Sequence, residues 1–177
     1  MHLTPTPAEQ ASILAAAEQL SFLASHLRSS RHSLVPESAT KRTVQMAGVW
    51  GWCRLLDITG NLWRRTAAYT VSGVDQVEHG MDLHGWLVDV KAKRGRGRGY
   101  VEATDQDTRH DCDLAFAEVE WPAIHLLGWC RPQLLRSGER RHYQGHPFFR
   151  LPAELLEPPQ TLNPRRPKAC GYRLTPA

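Results

Sequence analysis

Asp82, Asp89, Lys91 and Lys93 lie within "MDLHGWLVDVKAK" (residues 81–93), and "RGRGRG" follows at once. Side chains alternate along an extended strand, so Leu87, Asp89, Lys91 and Lys93 share one face and Trp86, Val88 and Val90 the other. The apolar set faces a core. The charged set is gathered on one surface, and a tight bend at Gly85 lets Asp82, on the preceding strand, approach it. Two converging carboxylates suit a hard cation such as Mg²⁺, with Mn²⁺ as a substitute, which keeps waters for a phosphate substrate. Lys91 would then sit beside the ion, where it could orient or help deprotonate a water and stabilise charge developing on the phosphate. A plainer account of the same residues is a solvated strand face with Asp89 and Lys91 as a surface ion pair of little energetic weight.

Beside this face, "KAKRGRGRGY" reads as a flexible arm in which Lys93, Arg94, Arg96 and Arg98 contact a nucleic-acid backbone and Tyr100 is available for stacking. Its plain alternative is a charged, mobile hairpin loop. The formal charge is +4, and of 22 basic residues only Lys41, Lys91, Lys93 and Lys168 are lysines. Arginine forks match phosphate oxygens, which favours an anionic partner, DNA foremost.

The elements that must position these groups are legible in outline. A chain of 177 residues with six tryptophans is long enough for one domain with a substantial core. Thr6, Pro7 and Glu9 match a capping box with proline at the first helical position, and Ile13, Ala17, Leu20, Ala24 and Leu27 follow at helical spacing, which predicts a helix over 7–29. Val44, Ala47, Trp50, Cys53 and Leu56 predict a second helix over 38–57, in which Gly48 and Gly51 cost about 1 kcal/mol each unless a close neighbour needs the space. From Asn61 the pattern turns to strands: "LWRRTAAYTVSG", "MDLHGWLVDVKAK", "CDLAFAEVE" and "AIHLLGWC" suggest a meander over 61–130. "RPQLLRSG" reads as a helical turn, "HPFFRLPAELLEP" as a strand and turn, and residues 158–177 as a proline-rich basic tail behind a domain of residues 1–157.

The remaining clusters point nowhere specific. Cys53, Cys112, Cys130 and Cys170 lack C-x-x-C spacing and read as ordinary reduced thiols; the histidines lack zinc spacing. Asp105, Asp107, Asp111 and Asp113 lack the glycine and terminal glutamate of a calcium loop and read as a solvated turn. No apolar run reaches membrane-spanning length, which leads to the expectation of a cytoplasmic protein without membrane contact.

On these residues the chain resembles the PD-(D/E)xK, or restriction-endonuclease-like, nuclease superfamily of phage and bacterial type. An acid on one strand of a hairpin is followed by acid-x-lysine on the next, and "DCDLAFAEVEWPAIHLLGWCRPQLL" is similar to the segment that continues those members. The resemblance covers roughly residues 44–157. It implies an α+β domain with a mixed sheet of four or five strands, N-terminal helices packed on it, and Mg²⁺-dependent cleavage of DNA. It further implies Asp82, Asp89 and the carbonyl of Val90 as metal ligands and Lys91 as the catalytic lysine. A homodimer is compatible with it. The chain departs from the pattern in one respect: many members carry a helix glutamate ahead of the hairpin, whereas the second helix here has Gln45 and no acid before Asp57, with Glu78 the nearer alternative. That departure keeps a competing expectation open, a non-catalytic nucleic-acid-binding, inhibitory or structural protein of the same outline.

Overall fold

The computed structural model describes residues 1–26, 39–58, 83, 86–95, 97, 99–109, 111–143 and 145–166. Its helices are α1 (Pro7–His26), α2 (Ala39–Leu55) and the short α3 (Pro132–Arg136). Its strands are β1 (His2–Leu3), β2 (Val88–Arg94), β3 (Tyr100–Thr104), β4 (Asp113–Glu120), β5 (Ala123–Cys130), β6 (Glu139–Tyr143) and β7 (His146–Pro152). They form an α+β fold with one mixed four-stranded sheet, ordered β1-β5-β4-β2, and one antiparallel three-stranded sheet, ordered β3-β7-β6.

Local chemistry starts and stops the helices as the residue types require. At the head of α1 the Thr6 amide and hydroxyl both donate to Glu9 Oε2 at 2.8 Å, so two groups are satisfied before the first turn closes. At the end of α2, Asp57 adopts φ +52° and the Ile58 amide donates to the Cys53 carbonyl at 2.9 Å, which caps the last turn. Asp57 thus has a structural task there. Residues 27–29, at the end of the first expected helix, lie outside the described residues.

The helices cover one face of the mixed sheet. Ile13, Ala16 and Ala17 of α1 and Val44 to Cys53 of α2 pack with Val88, Val90, Ala115, Ala117, Val119, Ile124 and Leu126. The second helix is buried on more sides than its apolar stripe suggested, because α1 covers the side that the sheet leaves open. Its glycines are the points of closest approach. A Cβ on Gly48 would lie 2.5 Å from the Ala92 Cβ, and one on Gly51 would lie 3.1 Å from Ile124 and Leu126. Gly48→Ala is therefore expected to cost about 1–2 kcal/mol, since overpacking outweighs the gain in helix propensity. Ala92→Gly in the same chain should restore part of it. Urea unfolding of the single and double variants checks both.

The opposite face of the mixed sheet meets the second sheet. Leu114, Phe116 and Cys130 pack there with Val101, Ala103, Phe149, Leu151 and Leu135. The structure corrects the expected meander. β4 and β5 do form an antiparallel pair joined at Trp121-Pro122, but β2 runs parallel to β4, with Asp89 beside Leu114 and Lys91 beside Phe116. A parallel neighbour needs a crossover, and here β3 and the 3₁₀ turn Asp107–Arg109 supply it. The segment "LWRRTAAYTVSG" lies outside the described residues. Farther on, α3 and β7 with the 3₁₀ turn Ala153–Leu155 match the expected turn of helix and closing strand.

Residues 158–166, read from sequence as the start of a basic tail, pack on the domain. Leu162 is buried with the helices, and the Leu87 amide donates to the Arg165 carbonyl at 2.7 Å. No helix among the described residues is long and apolar enough to cross a membrane.

Candidate functional site

Period-two alternation on β2 holds. Val88, Val90 and Ala92 face the helices, while Asp89, Lys91 and Lys93 project to the other side. Asp89 is not on a solvated surface, however. Its side chain retains 5% exposure, and the Lys91 ammonium lies 2.9 Å from its Oδ2. A buried carboxylate is costly unless a partner offsets the lost hydration, so Lys91 is required where it stands. The surface-ion-pair account fails for Asp89 on that ground.

Lys91 is held from a second side. Its Nζ donates to Asp107 Oδ1 at 2.7 Å, and Asp107 Oδ2 accepts from the Thr104 amide at 2.7 Å and hydroxyl at 2.6 Å. One ammonium thus joins two carboxylates, one from β2 and one from the crossover turn. Burial alone would raise the Asp107 pKa, but the charge and hydrogen bond of Lys91 and the two bonds from Thr104 outweigh it and hold the carboxyl below its ordinary value.

Asp107 is the site residue that sequence reasoning missed. Thr104 and Asp107 stand three apart, a capping-box spacing that gives the local turn. Nothing in that spacing reveals that Lys91, 16 residues earlier, will meet it; the parallel β2–β4 crossover brings them together.

The other acids of the expected solvated turn are also taken. Arg109 Nε donates to Asp105 at 2.9 Å; Asp111 pairs with Arg165 at 3.1 Å; and Asp113, fully buried, lies 3.2 Å from Arg131 and 3.5 Å from Arg165. That expectation is corrected for Asp113, which is fully buried against two arginines, whereas Asp111 keeps 76% side-chain exposure beside Arg165 and remains solvated as expected. Between them, burial and the charges of Asp89, Asp111 and Asp113 push the Cys112 thiol up to about 12, so it stays protonated.

Lys93 and the arm are partly engaged. Lys93 forms an ion pair with Glu102, which also accepts from Arg150 Nε and Nη2 at 3.0 and 2.8 Å. Burial opposes the Glu102 charge, but the bonds from Lys93 and Arg150 prevail and hold its pKa below the ordinary value. Arg94 is exposed; Arg96 and Arg98 lie outside the described residues. Two loop amides are pinned to β4: Gly95 donates to the Val119 carbonyl at 3.0 Å and Gly97 to the buried Glu118 carboxylate at 2.8 Å. Gly95, Gly97 and Gly99 all have positive φ, which explains a glycine at every second position. The arm is a shaped loop at these points.

Asp82 lies outside the described residues, as do Glu78, His84 and Gly85. The chain around them is described at Leu83, which is buried and whose amide donates to the Val88 carbonyl at 3.3 Å. Among the described residues no group of three or more histidine, cysteine or acidic side chains is placed to hold a metal ion. The donors that are present, the Asp89 and Asp107 carboxylates and backbone carbonyls, are hard oxygen ligands of the kind Mg²⁺ takes.

Both depressed carboxyls make the fold acid-sensitive. Their contribution is complete above the ordinary values of 4.5 for Glu102 and 3.8 for Asp107, and is lost as pH falls through the lower folded values. Urea midpoints measured below about pH 4 should therefore fall less steeply with acid in Asp107→Asn and Glu102→Gln than in the parent chain.

Comparison with protein-family models, with curated proteins and with solved structures finds no match to this chain.

Proposed function

We propose that the chain is a cytoplasmic, Mg²⁺-dependent nuclease that hydrolyses phosphodiester bonds in DNA. The observation that carries this reading is Asp89 and Lys91 on one strand face, with the carboxylate buried and the ammonium 2.9 Å away. Burying a carboxylate in an ion pair is a poor route to stability, so such a pair among further charged groups is a functional candidate. Asp82 is the second ligand in this reading. The Leu83 amide donates to the Val88 carbonyl at 3.3 Å, so the residue next to Asp82 in sequence lies beside the start of β2, which supports this choice.

In this account Asp82, Asp89 and the Val90 carbonyl hold the ion, which when bound polarises the phosphate and lowers the pKa of a water. Lys91 carries positive charge beside the scissile phosphate and orients the attacking water. Asp107 is a positioning residue: it accepts a second bond from the Lys91 ammonium, at 2.7 Å. Lys93, Arg94, Arg96 and Arg98 would bind the DNA backbone on either side of the cut.

A non-catalytic DNA-binding or inhibitory module is the second reading, and one observation favours it: the described residues alone do not assemble a three-ligand metal group. Incubation of the purified chain with single- and double-stranded DNA, with Mg²⁺ and with EDTA, separates the two. Cleavage with Mg²⁺ that EDTA stops is expected. Binding without cleavage of either substrate overturns the nuclease reading.

A further inference from the structure

Beyond the acid–lysine face, the outer side of the second sheet carries an arrangement that a structural role does not require. Glu102 of β3 stands directly opposite Arg150 of β7 and fixes its guanidinium through two donors, at 3.0 and 2.8 Å. That guanidinium lies over the Tyr100 ring, 4.0 Å from its centroid, while the Lys93 ammonium is 5.8 Å from the same centroid. Arg150 still retains 30% of its side-chain exposure. The result is a planar cation held in register on an aromatic ring, half open to solvent. The inner side of the same strands, with Val101, Ala103, Phe149 and Leu151, already supplies the core.

The place of this stack matters as much as its shape. Lys93 is two side chains along the face of β2 from Asp89, about 13 Å at the usual strand rise. The register then continues the surface across β7 and β6 to Phe148 and the half-exposed Arg141. Lys93, Arg141 and Arg150 outnumber Glu102 and Glu139 on this track, so a polyanion is the complementary occupant. A duplex would use only the charge, because its base faces are covered by their neighbours. An unpaired strand would also stack a base on the guanidinium–tyrosine pair.

We propose that Tyr100 and Arg150 form a base-stacking platform that binds single-stranded DNA and leads it to the Asp89–Lys91 face. The proposal rests on the nucleic-acid part of the reading above and is independent of cleavage. It deepens that reading by naming unpaired DNA as the preferred substrate class.

The test is equilibrium binding of a fluorescent single-stranded oligonucleotide and of the matching duplex in EDTA, where no Mg²⁺-dependent cleavage occurs. Arg150→Lys keeps the charge and the Glu102 partner but removes the planar face; Tyr100→Leu keeps apolar bulk but removes the ring. Each variant should weaken single-strand binding on the order of tenfold and leave duplex binding within about twofold. Circular dichroism and melting of both variants confirm that they fold. Parent-like single-strand affinity in both folded variants, or an equal loss on duplex, overturns the platform, as does a parent chain that prefers duplex. A chain that binds in this pattern yet never cuts with Mg²⁺ refutes the nuclease and leaves the platform standing; one that cuts but shows no variant effect does the reverse.

Discussion

Asp89→Asn is expected to abolish Mg²⁺-dependent cleavage of DNA while leaving the fold at least as stable as the parent. The loss should be about a thousandfold or more, because the side chain is assigned to hold the ion that supplies several kcal/mol of transition-state stabilisation. The stability forecast follows from burial. Asp89 retains 5% side-chain exposure, so its charge has been removed from water, and the amide is nearly the same size without that cost. Lys91 keeps Asp107 as a partner at 2.7 Å in the variant, so its ammonium is not stranded. Cleavage rates and urea midpoints measured on one preparation check both halves. Parent-like cleavage by the variant refutes the role of Asp89, whatever the stability.

Lys91→Met should be damaging on both counts, and that contrast with Asp89→Asn is the more informative result. Removing the ammonium leaves the buried Asp89 and the hydrogen-bonded Asp107 without the cation that joins them. Breaking one side of a buried pair costs about 3–5 kcal/mol in a fully buried site. Lys91 retains 25% exposure, so water relieves part of that cost, and about 2 kcal/mol is expected. Combining Lys91→Met with Asp89→Asn should recover at least about 1 kcal/mol of it, since the two positions are in contact and their effects are not additive. A double-mutant cycle in urea measures this coupling. If the effects of the two substitutions simply add, the ion pair has no energetic weight and the lysine's placement needs another explanation.

What the sequence made legible was local. The Thr6–Glu9 cap, the buried Val88 and Val90 opposite Asp89 and Lys91, the β4–β5 pair and the turn at Pro132 all arise from spacing within a few residues of one another. Even the doubt over Gly48 resolves into a specific contact with Ala92. What escaped was the choice of distant partners. A strand pattern does not state whether its neighbour is parallel, so the pattern suggests a meander where β2 in fact runs parallel to β4. The same crossover carries Asp107 to Lys91, and the strands after Arg136 form the second sheet that brings Arg150 to Tyr100. Asp113 looked like a solvent-facing acid because the arginines it meets, Arg131 and Arg165, are distant in sequence, while Asp111 is solvent-facing as its surroundings suggest.

The most direct measurement of the central claim is a crystal structure of the full chain grown with Mn²⁺, with the ion located by its anomalous signal. The account predicts one strong peak coordinated by the Asp89 carboxylate, with the Asp82 carboxylate within about 5 Å of it and sharing the ion. An Asp82 side chain directed away from Asp89, or a map with no ion at Asp89, would contradict it.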